Sequence, residues 1–167
     1  MATTYDKIAT STLSVAGTSI TFSSIAATYT DLRLVWVGAY NTATNGEIWI
    51  RVNGDTATNY STTEVTGTGA AATTSNTTSD SKFIASVYAI TANQPTLMTS
   101  DIFSYAGSTN KSFLNTCSQD ANGGGQVVRQ VGLWRSTSAI TSVTVQAGTA
   151  GLFLAGTSAT LYGIKAA

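Results

Sequence analysis

Asp31–Asn53 reads DLRLVWVGAYNTATNGEIWIRVN, and the fold class turns on it. Its first part, Asp31–Tyr40, carries Leu32, Leu34, Val35, Trp36 and Val37, an almost unbroken run of apolar, strand-favouring residues. Its second part alternates. Ile48, Ile50 and Val52 fall on one face, and Glu47, Trp49 and Arg51 on the other. The polar run Asn41–Asn45 between them leads into Asn-Gly, a turn signal. The pattern predicts a β-hairpin. Its first strand would be central and apolar on both faces, and its second half-buried.

Outward from this stretch the chain keeps the same character. On the N-terminal side, Ser23–Thr30 is a connection anchored by Ile25 and Tyr29, where a short helical turn fits. Ser19–Phe22 is a short strand. Residues 1–18, with Tyr5, Ile8 and Leu13 among threonines, form either a first strand or an arm lying on a neighbour. On the C-terminal side, Gly54-Asp55 is a turn, with the ring of Tyr60 pinning the loop that follows, and Thr63–Thr66 reads as a short strand. Gly67–Asp80, GTGAAATTSNTTSD, has no core anchor and is expected to be a long exposed loop that orders against a neighbouring chain. Lys82–Thr91 reads as a strand apolar on both faces. Leu97–Ala106 and Lys111–Ser118 flank a hairpin turn. Gln126–Arg135, Ala139–Gln146 and Ser158–Ile164 complete the set.

This makes eight to ten strands and no convincing helix, with turn signals at sandwich-like spacing. The expectation is an all-β chain: a single antiparallel β-sandwich over residues 19–167, jelly-roll-like. Asp31–Val37 is expected to pair with Leu161–Ile164.

Composition excludes several function classes. The chain has 167 residues, 43% of them hydrophobic, with 15 Gly and one Pro. Only 10% are charged, whereas an average chain has about 25%. Ser and Thr supply the polarity instead, at about three residues in ten. Eight basic and eight acidic residues leave net charge at zero. Neither nucleic acid nor a membrane surface is therefore an expected partner. A weakly charged surface suits a chain covered by partners in an assembly. No apolar run approaches the ~20 residues of a membrane helix. The opening MATTYDKIAT lacks the basic and apolar regions of a signal peptide, so synthesis in a cytoplasm without classical secretion is expected. Cys117 is the only cysteine and reads as a small buried strand residue.

No catalytic constellation is visible. There is no histidine, and the eight acidic residues are scattered singly, with nothing pointing to the converging carboxylate pair that a glycosidase needs. Asn53-Gly54-Asp55 reads as an Asx-type turn, since calcium sites gather several carboxylates. Gly123–Gly125 lacks the lysine of a phosphate loop and is a turn. No metal and no cofactor is expected. The aromatics carry more information. Trp49 lies between Glu47 and Arg51, and Trp134 shares its face with Gln130 and Gly132. Each fits a core position, a subunit interface or a sugar platform. Tyr5, Ile8, Trp49, Arg51, Tyr60 and Trp134 are the candidate contact residues.

Four segments carry a resemblance: YDKIATSTLS at Tyr5–Ser14, ITFSSIAATYTDLRLVWVG at Ile20–Gly38, RVNGDTATNYS at Arg51–Ser61, and AITSVTVQAGTAGLFLAGTSATLYGI at Ala139–Ile164. In this order they resemble a family of small tailed-phage virion proteins. The resemblance implies a jelly-roll-like sandwich presented on the virion, commonly as a homotrimer, and brings no catalytic residues. It implies a capsid decoration (cement) protein that bridges copies of the major capsid protein. The alternative is a tail- or head-fibre domain that binds host surface glycan; a cellular lectin domain unrelated to phages is a third reading. In the decoration reading, residues 2–13 and Gly67–Asp80 are the expected contact segments. The middle of the chain, Gly67–Gly125, lies outside the resemblance.

Overall fold

A computed structural model describes residues 4–41, 46–86, 92–148 and 151–165. Among them are twelve strands: β1 (Tyr5–Thr12), β2 (Ser19–Phe22), β3 (Asp31–Gly38), β4 (Ile48–Val52), β5 (Tyr60–Gly67), β6 (Ala72–Asp80), β7 (Phe83–Ile84), β8 (Thr96–Phe103), β9 (Lys111–Gln119), β10 (Gln126–Trp134), β11 (Val143–Ala147) and β12 (Ser158–Ile164). They form two antiparallel sheets. The larger runs β1-β12-β3-β8-β9-β10-β5-β6 and the smaller β2-β11-β4-β7. No helix among the described residues is long and apolar enough to cross a membrane.

The strand order explains the sandwich. β12 lies between β1 and β3 in the large sheet, and β11 lies between β2 and β4 in the small one. Each of the three chain segments β1–β2, β3–β4 and β11–β12 thus passes from one sheet to the other alongside its neighbours. That is an antiparallel ribbon rolled across two layers, the jelly-roll arrangement. The expected pairing of Asp31–Val37 with the chain's end is present, with Leu161 opposite Leu34 and Ile164 opposite Asp31.

The central hairpin is not. β3 pairs with β12 and β8, whereas β4 pairs with β11 and β7 in the other sheet. The two strands face each other instead of lying side by side. Leu32, Leu34 and Trp36 from β3 and Ile48, Ile50 and Val52 from β4 are all buried in the one core between the sheets. Two half-apolar strands bury more surface by stacking face to face than by pairing edge to edge. Nor is β3 apolar on both sides. Its outer face carries Arg33, which grips Asp101 of β8 through two hydrogen bonds of 2.6 and 2.8 Å.

Gly67–Asp80 is also corrected: most of it is a strand. β6 pairs with β5 from Thr62 opposite Thr77 to Gly67 opposite Ala72, and Thr68 and Ala71 close the turn. Along β6 every residue except Thr77 and Asp80 is exposed. A strand at the sheet's margin, beyond the reach of the second layer, needs no apolar anchor. Threonine's strand preference and one ladder of backbone bonds hold it. The long strand expected at Lys82–Thr91 shrinks to β7, and residues 87–91 of it lie outside the described residues. Ser23–Thr30 contains a turn at Ala27–Thr28 and no helix. Residues 5–12 are an edge strand along β12 and not a free arm.

The unequal sheets leave an overhang. At one side β2 lies against β1; at the other β7 lies against β10 and β5. Among the described residues the small sheet ends there and β6 lies beyond it, while the adjoining inner face of β5 stays largely buried, with Thr62 and Thr66 each 6% exposed. Phe83 sets this boundary. Its ring stacks on Phe113 at 5.0 Å and sits so close over Gly132 that a Cβ there would collide with it.

Candidate functional site

The overhang forms a cleft of about 510 Å³, within the usual range for a ligand site. One wall is the inner face of β5, with Thr62, Glu64 and Thr66. Across the ladder from them on β6 stand Thr77, Ser75 and Thr73. The opposite rim is the margin of the small sheet, where Glu47 and Ile84 line the space. Among the described residues Ile84 is the single aliphatic side chain in a lining otherwise made of hydroxyls, amides and two carboxylates.

Both carboxylates are held from behind. The Trp49 indole Nε1–H donates to Glu47 Oε2 at 2.5 Å. Ser75 Oγ donates to Glu64 Oε1 at 2.9 Å, and Gln130 Nε2 donates to Glu64 Oε2 at 3.0 Å. Gln130 is itself fixed in the core. Its Oε1 accepts from Asn115 Nδ2 at 2.6 Å, and Asn115 also donates to the Ala85 carbonyl at 3.1 Å. A chain of amides therefore runs from the buried face of β9 through β10 to the cleft. Buried polar groups in such a connected network are rigid, and they fix the groups they end on. Two polar atoms in the lining have no protein partner among the described residues: the Thr66 hydroxyl, on a residue 6% exposed, and Gln126 Oε1. Buried groups of this kind are normally paired.

The sequence-derived candidates scatter. Trp49 stands on the outer face of β4, half-buried. The Arg51 guanidinium lies 5.4 Å and the Lys82 ammonium 4.8 Å from its ring, and Gly148 is packed too close behind it to carry a Cβ. It is no open stacking platform; its link to function is the hydrogen bond that orients Glu47. Arg51 is occupied as well, donating to the Ser81 carbonyl and, at 2.6 Å, to Gln146 Oε1.

Tyr60 and Trp134 are buried, at 0% and 3% exposure, and so are unavailable to a partner or a sugar. They stack on each other at 6.5 Å. Burial pushes the Tyr60 phenol up to about 12. Trp134 donates its indole N–H to Asp55 Oδ2 at 2.6 Å. Asp55 also accepts from Asn59 Nδ2 and the Ala57 amide. Burial raises the Asp55 pKa, but these three donors outweigh it and hold the carboxyl below its ordinary value. Asn53 completes the unit, accepting from the amides of Thr141 and Ser142. The NGD…NYS segment is thus a structural latch between β4, β5, β10 and the segment just before β11. Tyr5 is exposed on the outer face of the large sheet with Arg33 5.7 Å from its ring, and Ile8 sits half-buried at a bulge, packed on the core.

Sequence reasoning missed Glu64, Thr66, Ser75 and Gln130. The one available signal was Gln130, an uncharged polar residue on the β10 face that also carries Val128 and Trp134. That face points into the core. The two carboxylates expected to be isolated, Glu47 and Glu64, share one cleft.

No family model matches the chain, and no curated protein matches it. Among solved structures it is similar to galectin LEC-6 of Caenorhabditis elegans, at 11% identity and a TM-score of 0.42, covering 91% of this chain and 94% of that one. It is also similar to a toad ovary galectin solved in complex with thio-digalactose, at 8% identity and a TM-score of 0.37, covering 87% and 99%. Likenesses this distant carry no functional argument; the cleft has to supply it.

Proposed function

We propose that this chain is a non-catalytic glycan-binding domain, presented on a phage particle as part of a tail or head fibre. The cleft beneath the β5–β6 overhang carries the reading. It offers a dense field of hydroxyls, two oriented carboxylates and one aliphatic patch, and among the described residues it holds two buried polar atoms without a protein partner, the Thr66 hydroxyl and Gln126 Oε1. Carbohydrates present the complementary surface: many O–H donors around a ring with apolar faces. Rigid carboxylates and amides that accept from neighbouring hydroxyls give orientation and specificity. The phage setting comes from the sequence resemblance of the rolled ribbon.

The test is a glycan-array screen of the intact chain beside Glu64→Gln and Thr66→Val, with folding checked by denaturation midpoint. Binding by the parent chain that falls in both variants at unchanged midpoint supports the reading. No retained glycan, or equal binding by all three, overturns it.

A second reading, capsid decoration, is favoured by a different surface. Among the described residues Val65, Val127 and Val131 are exposed together on the outer face of β5 and β10, and Leu97, Phe103 and Val37 on β8 and β3. An apolar face of this kind fits a broad protein contact. Quantitative mass spectrometry of purified particles separates the two. A copy number near that of the major capsid protein means shell decoration; a small fraction of it means a fibre.

A further inference from the structure

The charges of the cleft narrow the glycan class. Glu47 and Glu64 are its only charged lining residues, and both are acidic. The cations beside it are already engaged: Lys82 donates to Asp80 at 2.8 Å, and Arg51 to Ser81 and Gln146. Neither belongs to the lining. The protein supplies one donor to Glu47 and two to Glu64 among the described residues, fewer than the roughly four lone-pair sites of an ionised carboxylate. Gln126 Oε1, buried and unpartnered, adds another acceptor, and the Thr66 hydroxyl is free to accept or donate. The cleft is therefore short of positive charge, and its two carboxylates are short of donors. A ligand that completes it must bring both.

We infer, resting on the glycan reading of this same cleft, that it selects sugars carrying a free amino group and rejects acidic sugars. The ammonium of a 2-amino-2-deoxy sugar donates three hydrogen bonds and neutralises one carboxylate, with Glu64 its principal partner. Charge-assisted bonds of this kind are about twice as strong as neutral ones. The apolar face of the ring lies on Ile84. N-acetylation removes the charge and two of the donors. A uronic or sialic acid places a third negative group where two already stand.

The experiment is calorimetric titration of the intact chain, at low salt and mildly acidic pH, with three probes: a glucosamine oligosaccharide, its fully N-acetylated counterpart and a uronic-acid oligosaccharide of the same length. The expected order is amino over N-acetyl by about tenfold, the size of one charge-assisted bond, with no binding of the acidic probe. In Glu64→Gln the amino and N-acetyl probes bind alike. Equal binding of those two by the parent chain, or preference for the acidic probe, overturns the inference but leaves the glycan reading standing. If none of the three binds and the array is also blank, the glycan reading itself falls. A preference for the amino probe that survives in Glu64→Gln overturns the assignment of Glu64.

Discussion

Asp55 shows at the scale of one residue how a motif that looks like a binding loop serves as a latch. Its carboxylate satisfies the Trp134 indole, the Asn59 amide and the Ala57 backbone together. Replacing it by alanine leaves a buried indole N–H without a partner, so Asp55→Ala is expected to cost about 1–3 kcal/mol in urea unfolding. The sign of the pH effect comes from the lowered carboxyl pKa. The stabilisation is complete above the unfolded carboxylate pKa of ~3.9 and is lost as pH falls through the lower folded value. The parent chain should lose stability on acidification in that window, and Asp55→Ala should lose less of it. Trp49 is the other informative residue. Trp49→Phe keeps a ring for Arg51 and Lys82 but deletes the donor that orients Glu47. Glycan affinity should drop several-fold while the unfolding midpoint moves little. A midpoint that falls as far as the affinity would make Trp49 a packing residue only.

Among the elements, β6 and β7 define the cleft, and they are the ones the sequence described least well. β2 and β12 were legible as short strands, and the pairing of Asp31–Val37 with the last strand was expected, but β3 was read as apolar on both faces because Val35 and Val37 on its outer side break the visible alternation. β6 was not legible, because a Ser/Thr run without apolar anchors reads the same whether it is a loop or an uncovered marginal strand. The cleft shared that opacity. Glu47 and Trp49 stood out by alternation on β4, but Glu64 and Ser75 become a site only once β6 is known to be a strand in register with β5. With one ladder and almost no buried side chains, β6 should exchange its amide hydrogens well before β9 and β10, and a bound glycan should slow it. Fast exchange unaffected by a ligand that demonstrably binds would place the site elsewhere. β7 is fixed through Phe83, so Gly132→Ala should force that ring off the large sheet, cost about 1–3 kcal/mol and weaken the cleft together with the fold.

For the whole molecule, the division of labour is spatial. The segments that resemble phage virion proteins build the rolled ribbon: β1, β2, β3, the start of β5, β11, β12 and the latch at Asn53–Asp55. All eleven lining residues of the cleft lie outside those segments. The cleft thus stands at the far margin of the ribbon, on residues outside the resemblance. The exposed valines of β5 and β10 lie on the opposite face of the same strands that line the cleft, because successive residues of a strand point to opposite faces. The two proposed contacts, particle and glycan, can therefore be broken separately. Val127→Arg with Val131→Arg places two charges on the outer face and touches neither the core nor the lining. If that face docks on the virion, the double variant should leave glycan affinity unchanged and disappear from purified particles, whereas Glu64→Gln should load onto particles normally and lose the glycan. Particles that carry the double variant at parental copy number would remove the outer face from the assembly and leave the edge strand β1 as the surface to test next.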